Sequence, residues 1–243
     1  MNVADLAGIH TDTLNKSLEC LRFGAPVTHV YNPHRYARRP WTQYIERYAR
    51  PGVQAIFIGM NPGPWGMAQT GIPFGEIAAV RDWLVLDGPL HRPENEHPKR
   101  LVQGLDCARS EVSGRRVWGW AAENFASPDA FFEQFFIANY CPLSFMEESG
   151  RNRTPNKLPA EERTPLYAAC DAFLRRLVDT LRPQMVIGIG AFAEERAREA
   201  LGEQDVAFGR ILHPSPASPA ANRGWAPQAT AQLRALGFTI GGK

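Results

Sequence analysis

Three polar side chains that could act on a small ligand each follow an apolar stretch of the sequence: Asn61, Asn139 and His213. An asparagine amide offers one acceptor and two donors, and for Asn139 this set suits the imide edge of a pyrimidine. His213 is flanked by Pro214 and Pro216, which restrict the backbone around it. Each residue also has a structural interpretation, because an asparagine after a strand often forms a turn and a lone histidine is more often structural.

The loop that carries Asn61 is rich in glycine and proline, with the sequence GMNPGPWGMAQTGIPFGE at 59–76. Such a loop has little conformational freedom left, so it can hold its few polar groups still. Met60, Trp65 and Phe74 would give it apolar and aromatic walls. From this loop alone, a binding site and an ordinary rigid strand-to-helix turn are equally good interpretations.

The elements that must position these residues are four short apolar strands, mostly separated by helices. We predict the strands at 53–58, 135–138, 185–189 and 206–212. This order indicates a three-layer α/β/α sandwich with a central, mainly parallel four-stranded sheet. Ligands bind beyond the carboxyl ends of such strands, so Asn61, Asn139, Gly190 and His213 should meet at one edge.

Apolar residues at helical spacing predict the remaining elements. We expect helices over 4–23, 41–48, 76–86, 118–125, 129–133, 159–181, 190–200 and 225–236. We expect a turn at 31–34, a long irregular stretch at 88–116, and a polar basic loop at 149–157. An irregular stretch of this length inside a compact domain is usually functional or mobile.

Composition narrows the class of protein. The chain has 243 residues, 44% of them hydrophobic, which suffices for one domain over residues 1–243. It has no apolar run long enough to span a bilayer and no basic segment at its start, so we expect a soluble, cytoplasmic protein, nucleoid-associated in a prokaryote or nuclear in a eukaryote. The net charge of +2 neither demands nor excludes an anionic partner.

Two features bear on cofactors. The four cysteines form no CxxC pair, which disfavours a zinc or iron–sulfur site. Gly188 and Gly190 resemble the start of a dinucleotide fingerprint, but the third glycine is missing, so we interpret them as a tight turn before a helix whose N-terminus could meet a phosphate. A nucleotide-dependent enzyme is therefore a disfavoured alternative, and we expect no metal and no cofactor.

The segments at 59–76 and 213–225 (HPSPASPAANRGW) resemble the two active-site motifs of the single-strand-selective monofunctional uracil-DNA glycosylases. Further segments are similar to that group at 96–100 (EHPKR), 110–114 (SEVSG), 139–143 (NYCPL), 149–155 (SGRNRTP) and 188–198 (GIGAFAEERAR). The resemblance extends over roughly residues 28 to 236. It implies the superfamily fold, a parallel sheet between helical layers, in agreement with the strand pattern.

The resemblance also implies roles for individual residues. Asn61 matches the residue that places the attacking water, and His213 the one that hydrogen-bonds the uracil carbonyl as negative charge develops. Asn139 matches the reader of the Watson–Crick edge, and Phe74 the ring stacked on the base. Stacking of this kind contributes roughly 1–3 kcal/mol, which would offset part of the energy of flipping a base out of DNA.

Other matched positions line the pocket or face the DNA. Met60 and Gly63 match residues beside the base, and because Gly63 has no side chain we expect space next to the pyrimidine 5-position and excision of 5-hydroxymethyluracil. Two positions depart from the family pattern, which usually has phenylalanine at Trp65 and an arginine that probes the DNA stack at Ala217. The matched DNA-facing residues are Ser149, Gly150, Arg151, Asn152, Arg153, Asn156, Lys157, Ser215, Pro216, Ala217 and Ser218.

The implied function is therefore a DNA repair glycosylase that removes uracil from single- or double-stranded DNA as a monomer. The amide of Asn61 is too weak a base to deprotonate water and can only orient it. Neither motif contains a lysine, so there is no evident amine for Schiff-base chemistry, which favours a monofunctional hydrolase. The alternative from another class is a nucleic-acid-binding module whose pocket has lost turnover.

Overall fold

The computed structural model describes residues 2–202 and 204–241 and contains two sheets. The strands are β1 (Val27–Tyr31), β2 (Ala55–Gly59), β3 (Phe135–Asn139), β4 (Ser144–Glu147), β5 (Asn152–Arg153), β6 (Met185–Ile189) and β7 (Ala207–Ile211). Four of them form a parallel sheet in the order β3-β2-β6-β7. The four predicted strands and their parallel arrangement are thus confirmed.

The register of this sheet brings the strand ends together. Gly59 at the end of β2 pairs with Asn139 of β3, and Ile189 at the end of β6 pairs with Ile211 of β7. All five residues of β2 are buried, as expected for the interior of a sheet covered on both faces. The polar residues that follow the four strands therefore reach the same edge.

Helices flank the parallel sheet in the predicted α/β/α arrangement. They are α1 (Val3–Asp5), α2 (Thr11–Glu19), α3 (Pro33–Tyr36), α4 (Arg38–Tyr48), α5 (Met67–Thr70), α6 (Val112–Asn124), α7 (Pro128–Phe132), α8 (Ala160–Leu181), α9 (Ala191–Leu201), α10 (Pro219–Asn222) and α11 (Trp225–Ala235). Helices α8 and α9 pack together, with α9 against β6, while α6 packs on α11. Phe57 of β2 contacts Trp120 of α6, so this strand supports the α6 layer directly.

Several predicted segments differ from the structure. The predicted helix at 4–23 is divided by a π-helix, Leu6–His10, and ends at Glu19, and the predicted turn at 31–34 contains the start of α3. The predicted helix at 76–86 is reduced to a short helical turn that continues as a π-helix, Ala79–Trp83. It ends because Val85 adopts a left-handed backbone conformation, with φ of 51°. The predicted irregular stretch is also shorter than 88–116, since α6 begins at Val112; within it lies one 3₁₀ turn, Gly104–Asp106.

The second sheet was not predicted. Strands β1, β4 and β5 pair antiparallel in the order β1-β4-β5, and β5 lies in the segment expected to be a loop. β1 (VTHVY) is as long as the parallel strands but mixes polar and apolar residues without alternation, and β5 has only two residues, so no sequence pattern marks this sheet. Their place in the fold matters because the β4–β5 hairpin carries Asn152 to the edge where the parallel strands end.

Three further observations concern the described residues. The main cluster of buried side chains includes residues from Leu6 to Ile240, so most elements share one core. None of the helices in residues 2–202 and 204–241 is both long and apolar enough to cross a membrane. The four cysteines are free thiols; Cys20 is exposed and the others are buried.

Candidate active site

A cavity of about 340 Å³ opens where the parallel strands end. This volume falls in the range typical of small-molecule sites. The cavity is lined by Met60, Asn61, Gly63, Phe74, Glu111, Ser113, Asn139, Asn152, Thr154, His213 and Ser215. It is lined by all six residues that the sequence predicted as catalytic or base-binding, although they come from three separate segments of the chain: the Gly-Pro loop, the end of β3 and the turn after β7.

The amide of Asn61 has a defined orientation. Its Nδ2 donates a hydrogen bond of 3.1 Å to the backbone carbonyl of Leu143, just before β4. With the donor side of the amide held there, Oδ1 remains as the acceptor that Asn61 can offer to the cavity. An acceptor fixed in this way can take a proton of a water molecule in a hydrogen bond and so orient its oxygen.

His213 is held as a neutral ring with a defined tautomer. The backbone N–H of Ser215 donates to His213 Nδ1 at 3.1 Å, so the proton of the neutral imidazole is on Nε2. Burial lowers the pKa of His213 below its ordinary value, which keeps the ring uncharged near neutral pH. The side chain therefore offers the cavity a neutral N–H donor.

Gly190 makes room for this histidine. Its φ is 92°, and a Cβ atom built there would lie 3.1 Å from the Cβ of His213 and 3.4 Å from its Cδ2. The glycine therefore permits the backbone just after β6 to approach His213, which lies two residues after β7. The structure thus gives Gly190 a packing role behind His213.

Phe74 and Asn139 lie together against the backbone of β2. A Cβ atom on Gly59 would overlap with the Phe74 ring and with Asn139 Oδ1, so only glycine fits at this position. Phe74 adopts a φ of 53°, an uncommon conformation for a non-glycine residue that is often found at functional sites. Its ring centroid lies 6.4 Å from that of His213, so the two rings border one space. The Asn139 amide donates to the thioether of Met67, a weak acceptor that a stronger partner could replace.

Glu111 is the main cavity residue that the sequence analysis missed. Burial, with the nearby charge of Glu76, raises the pKa of the Glu111 carboxyl group to about 7. Within the described chain no hydrogen bond to this carboxyl group is formed. The expectation of open space beside Gly63 is wrong, because a Cβ atom on Gly63 or on Gly66 would overlap with the Glu111 carboxyl group. The two glycines make room for an acid.

The packing of α6 explains how Glu111 and Ser113 reach the cavity. A Cβ atom on Gly114 would overlap with the backbone carbonyl of Phe74, so the start of α6 lies directly on the Gly-Pro loop. Trp118 of the same helix donates from Nε1 to the carbonyl of Pro73 at 3.2 Å. The available signal was the SEVSG segment, which resembles the glycosylases but carried no assigned role.

The predicted DNA-facing loop lies beside the cavity. Its arginine side chains differ in whether they are free to bind DNA. Asn152 lines the cavity, and so does Thr154, which was not predicted. Arg153 is already hydrogen-bonded within the protein, because its guanidinium donates to Glu147 Oε1 at 3.1 Å and to the backbone carbonyl of Lys157 at 2.7 Å. Arg151 is exposed and forms no ion pair among the described residues. The other predicted residues of this loop that are exposed are Ser149, Asn156 and Lys157, while Gly150 is buried in the turn.

The segment after His213 forms a turn whose hydroxyl groups are used locally. Ser215 Oγ accepts from the backbone N–H of Ala217 at 3.1 Å, and Ser218 Oγ accepts from Ala221 at the start of α10. Pro216 and Ala217 are exposed at the tip. Arg116 braces the segment by donating to the carbonyl of Pro214 at 2.8 Å, a contact that the sequence did not reveal.

The described residues contain no group of three or more histidine, cysteine or acidic side chains that could hold a metal ion. The side chains that line the cavity offer an amide acceptor, a neutral imidazole donor, an aromatic ring and a buried carboxyl group. These groups can bind a planar polar ring, orient water and stabilise a developing anion.

Comparisons with known proteins agree with this arrangement. A profile of the uracil DNA glycosylase superfamily matches residues 46–234. The single-strand selective monofunctional uracil DNA glycosylase of Bos taurus is 50% identical over 93% of this chain and 84% of the bovine protein. The Mus musculus protein of the same name is 49% identical over 93% of this chain and 81% of its own length. The crystal structure of wild-type Pedobacter heparinus SMUG2 shares the fold, with a TM-score of 0.65 and 16% identity over 95% of this chain and 99% of that one. The chain therefore belongs to the uracil DNA glycosylase superfamily.

Proposed function

We propose that the protein is a monofunctional DNA glycosylase that hydrolyses the N-glycosidic bond of uracil flipped out of DNA. One observation carries the proposal: a fixed amide acceptor and a neutral imidazole donor line the same cavity. The acceptor is Asn61 Oδ1, left available by the Leu143 contact, and the donor is His213 Nε2–H, left available by the Ser215 contact. This pair suits hydrolysis of a glycosidic bond with an anionic leaving group, because one group can orient water and the other can stabilise the departing base.

In the proposed reaction the bond between the sugar C1′ and the base N1 breaks first, and the bonding electrons leave with the base. His213 stabilises the resulting negative charge by donating Nε2–H to a base carbonyl, as an oxyanion-hole donor does. Asn61 orients a water molecule whose oxygen then bonds to C1′. The proton that this water loses ends on the uracil anion, so the products are the abasic sugar and neutral uracil. A weakly basic amide suffices because the sugar cation that remains is strongly electrophilic.

Recognition of the base is assigned to Phe74 and Asn139. The ring of Phe74 would stack on the flipped pyrimidine and contribute roughly 1–3 kcal/mol. Asn139 would read the Watson–Crick edge, with Met67 giving up its weak contact to the amide. We further propose that 5-hydroxymethyluracil is excised. The support for this proposal is the polar wall beside Gly63, which is formed by Glu111 and Ser113.

The DNA strand is expected to lie across the β4–β5 hairpin and the turn after His213. Ala217, exposed at the tip of that turn, is too short to fill the gap that a flipped base leaves in a duplex. Uracil in single-stranded DNA or in a mismatch costs less to extrude, and we infer that it is preferred. Because one chain supplies the whole cavity, we also infer that the protein acts as a monomer.

The absence of an amine from the cavity supports a monofunctional mechanism. Among the described residues that line it there is no lysine, so nothing there would form a Schiff base with the sugar. The expected product is an intact abasic site. A nucleic-acid-binding module without turnover would bind the same DNA and leave it unchanged.

The test is a gel assay of oligonucleotides that carry one uracil. After incubation with the protein and treatment with alkali, we expect strand cleavage at the uracil, with no cleavage before alkali. Activity should be unaffected by EDTA. A protein that binds the oligonucleotide but produces no alkali-labile site would support the binding module, and activity lost in EDTA and restored by a divalent metal would contradict the mechanism.

A further inference from the structure

Two arginine side chains stack on one tryptophan of the Gly-Pro loop. The guanidinium carbons of Arg100 and Arg109 lie 5.1 Å and 4.4 Å from the centre of the Trp65 ring. Both distances are within the range of about 6 Å for cation–π contacts. The three residues come from separate parts of the chain, and the two contacts place two positive charges within about 5 Å of one ring centre.

This cluster is at the rim of the cavity. Trp65 is two residues beyond Gly63, and Arg109 is two residues before Glu111, and both of these neighbours line the cavity. Two residues of extended chain span at most about 7 Å. The tryptophan and one of its arginines therefore lie next to the proposed base-binding site.

The second arginine joins the cluster to the β4–β5 hairpin. A Cβ atom built on Gly150 would lie 3.3 Å from the guanidinium carbon of Arg100, so this side chain lies against the hairpin turn. Asn152, two residues further on, lines the cavity. The cluster and the hairpin thus form one continuous surface beside the cavity.

Neither arginine is neutralised by the protein. In the described part of the chain no ion pair involves Arg100 or Arg109. Arg100 donates from Nη1 to the carbonyl of Lys99, while its Nε is buried without a partner. A guanidinium that stacks on an aromatic ring keeps its N–H edge available, and that edge matches the oxygens of a phosphate. Two such cations held on one ring therefore suit an anionic ligand.

We infer that Trp65, Arg100 and Arg109 form a phosphate-binding ridge that holds the DNA strand beside the flipped base. The inference rests on the proposed function, because it takes the cavity as the place where the base binds. The three residues of the ridge lie outside both the β4–β5 hairpin and the turn after His213, so the ridge extends the expected DNA-binding surface. The ligand of the ridge is the sugar–phosphate backbone, so the ridge should bind DNA of any base sequence.

The test measures how salt weakens DNA binding. The affinity for a uracil-free single-stranded oligonucleotide is measured by fluorescence anisotropy from about 50 to 200 mM salt, which avoids turnover. Each phosphate contact to a single strand contributes about 0.7 to the slope of log affinity against log salt. We expect Arg100→Gln and Arg109→Gln each to lower the slope by about 0.7, and Arg109→Lys, which keeps the charge, to leave it near that of the wild type.

The matched control is Arg47→Gln. Arg47 also stacks on an aromatic ring, with its guanidinium carbon 5.2 Å from the centre of Tyr48. It lies near the end of α4, which leads to the start of β2 and so to the opposite edge of the sheet. We expect its slope to equal that of the wild type.

Each outcome decides the inference. An unchanged slope in Arg109→Gln, whose exposed side chain can be removed without disturbing the core, overturns the ridge, and so does an equal fall in Arg47→Gln. Uracil excision by the wild type is measured on the same preparation. If excision is absent while the two slopes fall as expected, the phosphate site stands and the proposed function fails.

Discussion

The replacement Glu111→Gln should change how the stability of the protein depends on pH. Burial raises the pKa of this carboxyl group to about 7 from the model-compound value of 4.5. A raised pKa means that the folded state holds its proton more tightly than the unfolded chain. The stability that comes from this proton is fully present below pH 4.5 and is lost as the pH rises through 7. A difference of about 2.5 pH units corresponds to at most about 3.4 kcal/mol.

Glutamine keeps the shape of the side chain and cannot ionise. We therefore expect the stability of Glu111→Gln, relative to the wild type, to increase by about 1–3 kcal/mol between pH 5 and pH 8. Titrating groups that do not interact with Glu111 are common to both proteins and cancel in this difference. The measurement is urea unfolding of both proteins at several pH values in this range.

The control for this experiment is Glu133→Gln, which removes an exposed carboxyl group just after α7. It should shift stability little at any pH. A stability difference between Glu111→Gln and the wild type that stays constant from pH 5 to pH 8 would refute the reasoning, because it would mean that the carboxyl group is not desolvated beside Gly63 and Gly66.

Three other predictions concern the cavity and the turn. Ala217→Arg should raise the single-turnover rate on duplex U·A selectively, and an equal change on U·A, U·G and single-stranded uracil would exclude a wedge role. Gly63→Ala must displace Glu111, so in a gel assay of both substrates it should slow excision of 5-hydroxymethyluracil more than excision of uracil. Equal slowing of the two would mean that Gly63 does not determine which base is excised. Nitrogen NMR at neutral pH should find His213 neutral with its proton on Nε2, whereas a ring protonated at both nitrogens would contradict the proposed donor.

Much of the fold could be predicted because the central strands are continuous apolar runs. β2 is buried throughout, and such a run can only belong to the interior of a sheet or to a buried helix. Once the four strands are parallel, their carboxyl ends must meet, and this brings Asn61, Asn139 and His213 into one cavity. The positions of these side chains therefore follow from the order of elements.

The parts that escaped prediction depend on contacts between distant segments. Glu111 lines the cavity only because α6 packs on the backbone of Phe74 at Gly114, and no local pattern marks that contact. The antiparallel sheet carries no period in the sequence, because β1 mixes polar and apolar residues without alternation and β5 has only two residues. The tautomer of His213 depends on a backbone N–H two residues away, which spacing alone does not determine.

The central claim is that one cavity holds both groups that carry the reaction, and single-turnover excision of uracil from a single-stranded oligonucleotide tests it most directly. We predict that the wild type produces alkali-labile sites, and that Asn61→Ala and His213→Ala each lower the rate by about 10²-fold or more, as expected for the loss of one preorganised group. Asn139→Ala should weaken discrimination between bases as well. Rates near that of the wild type in either of the first two variants would contradict the account.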